Sequence, residues 1–120
     1  GFDESKDTEI CHLRVDEKGL RRSLKCLDHL DEVVIPTNTI RVKYEFEFDD
    51  GPYIRIIRNP KGKGLTRKAL AVRLAKHYQK FYKEPAKYAV WVEDITSIGI
   101  SAMSYNCDEK VYELNVDLTH

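Results

Sequence analysis

The sequence predicts an α+β fold: one domain of two layers, a mainly antiparallel sheet of hairpins packed on one long helix. Three observations predict it. Residues 39–58 and 97–118 each read as two alternating strands around a polar turn. Residues 66–83 hold a sustained helical period between those hairpins. The length of 120 residues, 42% hydrophobic and 33% charged, suits one domain with one core and argues against a disordered chain.

The elements follow in order. Residues 1–8 are polar and are expected to fray. From Glu9 to Val15, Ile10, Leu13 and Val15 alternate with polar neighbours, and the pattern slips at Cys11-His12; a strand is expected. Leu20, Leu24, Leu27 and Leu30 recur at helical spacing and predict a short N-terminal helix over 19–30, with Asp16 or Glu17 at its positive end. Val33-Val34-Ile35 is an apolar run stopped by Pro36, an edge strand or a lead-in.

Thr39 to Phe48 alternates most strictly. Ile40, Val42, Tyr44, Phe46 and Phe48 share one face, and Arg41, Lys43, Glu45 and Glu47 share the other. Asp49 to Pro52 is the turn, and Tyr53 to Arg58 is the returning strand. Tyr88 to Val92 is expected to be a strand, and Glu93-Asp94 a turn or helix start. Ser97–Tyr105 and Val111–Leu118 form the second hairpin, with Tyr112, Leu114, Val116 and Leu118 inward. In order of elements, the central ββαββ run resembles a β-grasp arrangement.

The long helix has two sides. Thr66 suits its N-cap, and Pro85 forces its end at Glu84. Leu70, Leu74, Tyr78 and Phe81 lie on one side, widened by Ala71, Ala75, His77 and Tyr82. Arg73, Lys76, Lys80 and Lys83 form a separate stripe at spacings of three and four. The apolar arc accounts for folding, whereas four aligned cations repel one another mildly.

Net charge is zero, but the charge is segregated. Residues 53–87 hold eleven Lys/Arg and one acid, Glu84, so the remaining 85 residues carry the opposite excess. Two readings compete for the basic segment. In the first it is a solvated face whose cations pair with the acidic remainder of the same molecule. In the second it is an anion- or partner-binding surface of Arg58, Lys61, Lys63, Arg67, Arg73, Lys76, Lys80 and Lys83, helped by backbone amides at Gly62–Gly64 and the helix N-terminus. The expected partner is a protein with an acidic surface; the alternative is a nucleic acid. GKGLT lacks the spacing and the parallel β-α-β context of a phosphate-binding loop.

Other constellations are sparser. Cys11, His12, Cys26 and His29 have zinc-ligand atoms, with Cys26 and His29 three apart on the expected N-terminal helix. Adjacent strand residues point to opposite faces, so Cys11 and His12 cannot both join; no metal and no cofactor are expected. Cys11 and Cys26 are read as small buried hydrophobes, the thiols in general as mostly buried or inert, and His77 as a half-buried, satisfied histidine. No Ser/His/Asp or Cys/His set assembles, so no catalytic residues are assigned and a binding or adaptor role is expected. The first residues, GFDESKDTEI, lack a basic and apolar leader, no run is long enough to span a membrane, and three cysteines point to a reducing compartment. An intracellular location, cytoplasmic or nuclear, is expected.

Overall fold

Alternation and helical period both carry through into the architecture. The computed structural model describes residues 8–45, 52–59, 62, 64–88 and 94–118. In chain order these form β1 (Thr8–Arg14), α1 (Glu17–Cys26), β2 (Val33–Ile35), β3 (Thr39–Tyr44), β4 (Tyr53–Arg58), β5 (Leu65–Thr66), α2 (Arg67–Lys83), a 3-10 turn (Ile95–Ser97), β6 (Ile98–Asn106) and β7 (Val111–Leu118). The expectations for Phe46 and Phe48, the turn residues 49–51, the strand from residue 89 on and Glu93 fall outside the described residues. Tyr88 itself lies in a turn.

The class is α+β and the larger sheet is mixed. Its order is β1-β6-β7-β3-β4. Both expected hairpins are present, as β3–β4 and β6–β7. They join through a parallel β3–β7 pair, with Val42 beside Tyr112 and Lys43 beside Glu113. Parallel neighbours need a long connection, and α2 lies in the segment that links the two hairpins. The run β3-β4-α2-β6-β7 thus sets its first and last strands side by side as parallel neighbours. Strand β1 adds to the β6 edge, and its register shifts between Glu9 and Leu13, where the alternation slips.

Two expectations are corrected. The N-terminal helix runs Glu17–Cys26 rather than 19–30. Asp16 caps it by accepting from the Gly19 amide at 3.0 Å, so the start moves forward to the better cap. Leu27 is extended and His29 is left-handed (φ 57°), so Leu30 leaves the helix although its spacing is helical. Leu65 and Thr66, for which no strand is expected, form β5 and pair with β2 in a separate two-stranded sheet, and Thr66 keeps its expected place as the N-cap of α2.

Helix α2 fits the expected period. Leu70, Ala71, Leu74, Ala75, Tyr78 and Phe81 are buried, and Arg73, Lys76, Lys80 and Lys83 are exposed. Tyr44 of β3 meets Tyr78 and Phe81 edge-on at centroid distances of 5.4 and 5.3 Å. Gln79 ties the helix to the end of β1 by donating to the Val15 carbonyl at 2.8 Å. Burying the six apolar side chains along one arc holds the helix and aims its opposite arc at water.

Candidate functional site

The candidate surface starts at the N-terminus of α2, where an anion is expected to find free amides. The fold has filled them. Arg67 N–H donates to the Glu32 carbonyl and Lys68 N–H to the Leu30 carbonyl, both at 3.0 Å. Thr66 caps the third amide, its hydroxyl accepting from Ala69 N–H at 3.1 Å. The early end of α1 makes this happen, because the turn at His29 brings residues 30–32 across the helix start. The helix N-terminus is therefore not an anion site.

The glycine loop is spent in the same way. Gly64 N–H donates to the Asn38 side-chain oxygen, and the Gly64 carbonyl accepts from Asn59 Nδ2 at 2.9 Å. Asn59 N–H in turn donates to the Asn38 carbonyl at 2.8 Å. Two asparagines clamp Gly64 onto the β2–β3 connection, so both its amide and its carbonyl are taken up by a structural joint.

The cations separate into groups. Arg67 turns back, donating to the His29 carbonyl at 3.0 Å and reaching Glu32 at 3.3 Å. Arg58 ends β4 as an exposed residue, and Lys61 and Lys63 lie outside the described residues. Arg55 is withdrawn from the surface; its guanidinium lies 5.3 Å from the Phe81 ring and 5.7 Å from that of Tyr53. Arg73, Lys76, Lys80 and Lys83 remain together on α2, over about 15 Å of helix at about 1.5 Å rise per residue.

Among the described residues, that row has no acidic partner. Of the cations in 53–87, Arg67 pairs with Glu32 and Lys87 with Glu84 at 3.9 Å, and only the first pair leaves the basic segment. Lys43, from the acidic remainder, is held by Glu45 at 3.0 Å and Glu109 at 2.8 Å, which raises its pKa. Glu45 and Glu109 are thus drawn to a cation of the acidic remainder, whereas Glu32 reaches across to Arg67. Beside the row is a hollow of about 400 Å³ lined by Thr66, Lys68, Ala69, Val72, Arg73 and Lys76.

His77 borders the row from the buried side. Its Nδ1 shares a hydrogen bond with the Tyr44 hydroxyl at 2.5 Å, and burial keeps that phenol protonated by raising its pKa. Burial first, then Arg55, Arg73 and Lys80, push the His77 pKa down to about 4. The imidazole is neutral at pH 7, the satisfied histidine its sequence position suggests. Because the folded pKa lies below the unfolded value of 6.5, the unfolded chain binds the extra proton between those values. Stability is complete above about pH 6.5 and falls as pH drops towards 4, by about 1–2 kcal/mol once partial exposure is discounted. Urea midpoints at about pH 7 and about pH 4.5 check this. The loss should be smaller in His77→Gln, and equal losses would remove the histidine from the account.

Cys26 and His29, the helical half of the zinc-type ligand set, are not brought onto one helix face. The helix ends at Cys26, and His29 follows in a left-handed turn. Cys26 and Cys107 are exposed rather than buried, because one ends a helix and the other sits in a hairpin turn. The side chains of Cys11 and His12 are outside the described residues. No three His, Cys, Asp or Glu side chains group to hold a metal among the described residues. No described helix is long and apolar enough to cross a membrane.

Sequence reasoning misses two features. One is the plug over the α2 N-terminus, which depends on a contact between residues 30–32 and 67–68 that no local pattern encodes. The other is a depression between the β2–β3 connection and the β6–β7 hairpin, whose tyrosines carry no local signal beyond core or rim. No family model matches the chain, nor does any curated protein or solved structure.

Proposed function

We propose that this chain is a two-layer α+β binding or adaptor domain that contacts an acidic protein surface through α2. The observation that carries this reading is the row Arg73, Lys76, Lys80 and Lys83, exposed and without an acidic partner among the described residues. The row is not needed for the core, since the opposite arc of α2 supplies the buried side chains. The adjoining hollow supports a protein partner over a nucleic acid. Its half-buried Ala69 and Val72 offer apolar contact beside the cations, as an amphipathic acidic segment requires. The amides at the helix N-terminus and at Gly64 are taken within the fold, which leaves them no part in cradling a phosphate.

The test is affinity capture with the wild-type chain and a Lys76→Glu/Lys80→Glu variant, followed by measured affinity for the captured protein. Reversing both charges should weaken binding at least about ten-fold, with the loss shrinking as salt rises. The folded state should be unaffected, since both residues are exposed. Unchanged affinity in the variant would sink the reading. Tighter binding to oligonucleotides, falling steeply with salt, would move the surface to the nucleic-acid alternative.

A further inference from the structure

A second site lies away from the α2 row. The depression between the β2–β3 connection and the β6–β7 hairpin encloses about 470 Å³ and is lined mainly by apolar and aromatic residues. Its buried lining includes Ile35, Ile40 and Tyr112, with Tyr105 packed edge-on to Tyr112 at 5.0 Å. That volume suits a small ligand. Its charged lining residues are Arg41 and Lys110, both exposed, with no carboxylate in the set. Neither cation forms an ion pair among the described residues.

The hairpin turn explains why Lys110 stands there without its neighbour's charge. The Asn106 side-chain oxygen accepts from the Asp108 and Glu109 amides at 3.0 and 3.1 Å, and its Nδ2 donates to Glu113 at 2.9 Å. Lys110 N–H closes the turn on the Asn106 carbonyl at 2.8 Å. Glu109 is drawn off to Lys43 at 2.8 Å rather than pairing with Lys110. Lys110 itself holds a left-handed backbone (φ 57°), a conformation that glycine or asparagine adopts at lower cost. A lysine at this position is unfavourable for the turn.

We infer that this depression binds a small amphipathic anion, an aryl or alkyl carboxylate or sulfonate, with its apolar part against Pro36 and Tyr105, over the buried floor of Ile35, Ile40 and Tyr112, and its charge toward Arg41 and Lys110. The opposed chemistry of lining and charge is what selects this class: an uncharged hydrophobe would leave the cations unused, and a hydrophilic anion would leave the accessible apolar surface at Pro36 and Tyr105 uncovered.

The test titrates anilinonaphthalenesulfonate, and the uncharged N-phenylnaphthylamine as control, into the isotope-labelled chain. Saturable one-to-one binding is expected, with amide shifts centred on Ile35, Ile40, Tyr105 and Tyr112. Arg41→Gln/Lys110→Gln should weaken the sulfonate about ten-fold while changing the neutral probe less than about two-fold. Lys110→Gly should keep or raise the thermal midpoint and still weaken the sulfonate, which separates a ligand role from a structural one. Shifts centred on α2, equal losses for both probes, or no saturation would each overturn the assignment. Lys76→Glu/Lys80→Glu should leave probe binding intact, so this site and the α2 surface fail or stand separately.

Discussion

Phe81→Ala is expected to lower the unfolding free energy by about 3–5 kcal/mol, a large share of the stability of a small domain. Phe81 is 1% exposed and stands where α2, β3, β4 and the turn after the helix converge. Its ring meets Tyr88 at 4.9 Å, Tyr44 at 5.3 Å, Tyr53 at 5.6 Å and Tyr78 at 6.2 Å, with the Arg55 guanidinium at 5.3 Å. Truncation removes the transfer energy of the ring and leaves a cavity whose walls are other rings held by their own contacts. It also takes an aromatic face from a half-buried guanidinium, a loss that a surface cation would not register. Phe81→Leu keeps most of the volume and should cost less than half as much. Denaturant unfolding of both variants measures the difference. A loss below about 1.5 kcal/mol for the alanine variant would show that the aromatic cluster is not the keystone of the helix–sheet contact.

Gly64→Ala carries the second large effect, about 2–4 kcal/mol of destabilisation. Two causes act together. Gly64 has φ of +94°, where a side chain is strained whatever the space around it. An added Cβ would also stand 2.6 Å from the Ile35 carbonyl oxygen and 2.8 Å from Val33 Cγ1, so β2 would have to move. The loop cannot simply swing away, because Asn38 and Asn59 hold Gly64 by both its amide and its carbonyl. Thermal or urea unfolding of the unliganded variant decides what the glycine is for. A clamp loses stability with no ligand present, whereas a phosphate loop would keep stability and lose binding. A Gly64→Ala protein as stable as wild type would therefore return the loop to the ligand-binding reading.

The helix is legible because its signal is local. Leu70, Leu74, Tyr78 and Phe81 repeat within a few turns, Thr66 caps the start, and Pro85 limits the end. Strand β3 is legible for the same reason, its burial following the alternation of Ile40, Val42 and Tyr44. The N-terminal helix misleads because Leu27 and Leu30 keep helical spacing for a different purpose: they pack on the core from beyond the helix end. Strand β5 is invisible because two residues are too few for any period, and only pairing with β2 defines it. Within the candidate surface, the row on α2 is legible and the closing of its helix end is not.

The chain's own order of residues determined which side chains of α2 are buried, which face water, where its cap sits and that two hairpins flank it. Those are consequences of spacing, and spacing is local. Tertiary structure alone decided that β3 lies parallel to β7, that residues 30–32 occupy the amides at the start of α2, and that Arg41 shares a depression with Tyr105, Lys110 and Tyr112. Each of these joins segments more than thirty positions apart in the chain. Backbone amides look the same whatever the sequence, so whether one is free or taken is settled only when the rest of the chain has arrived beside it.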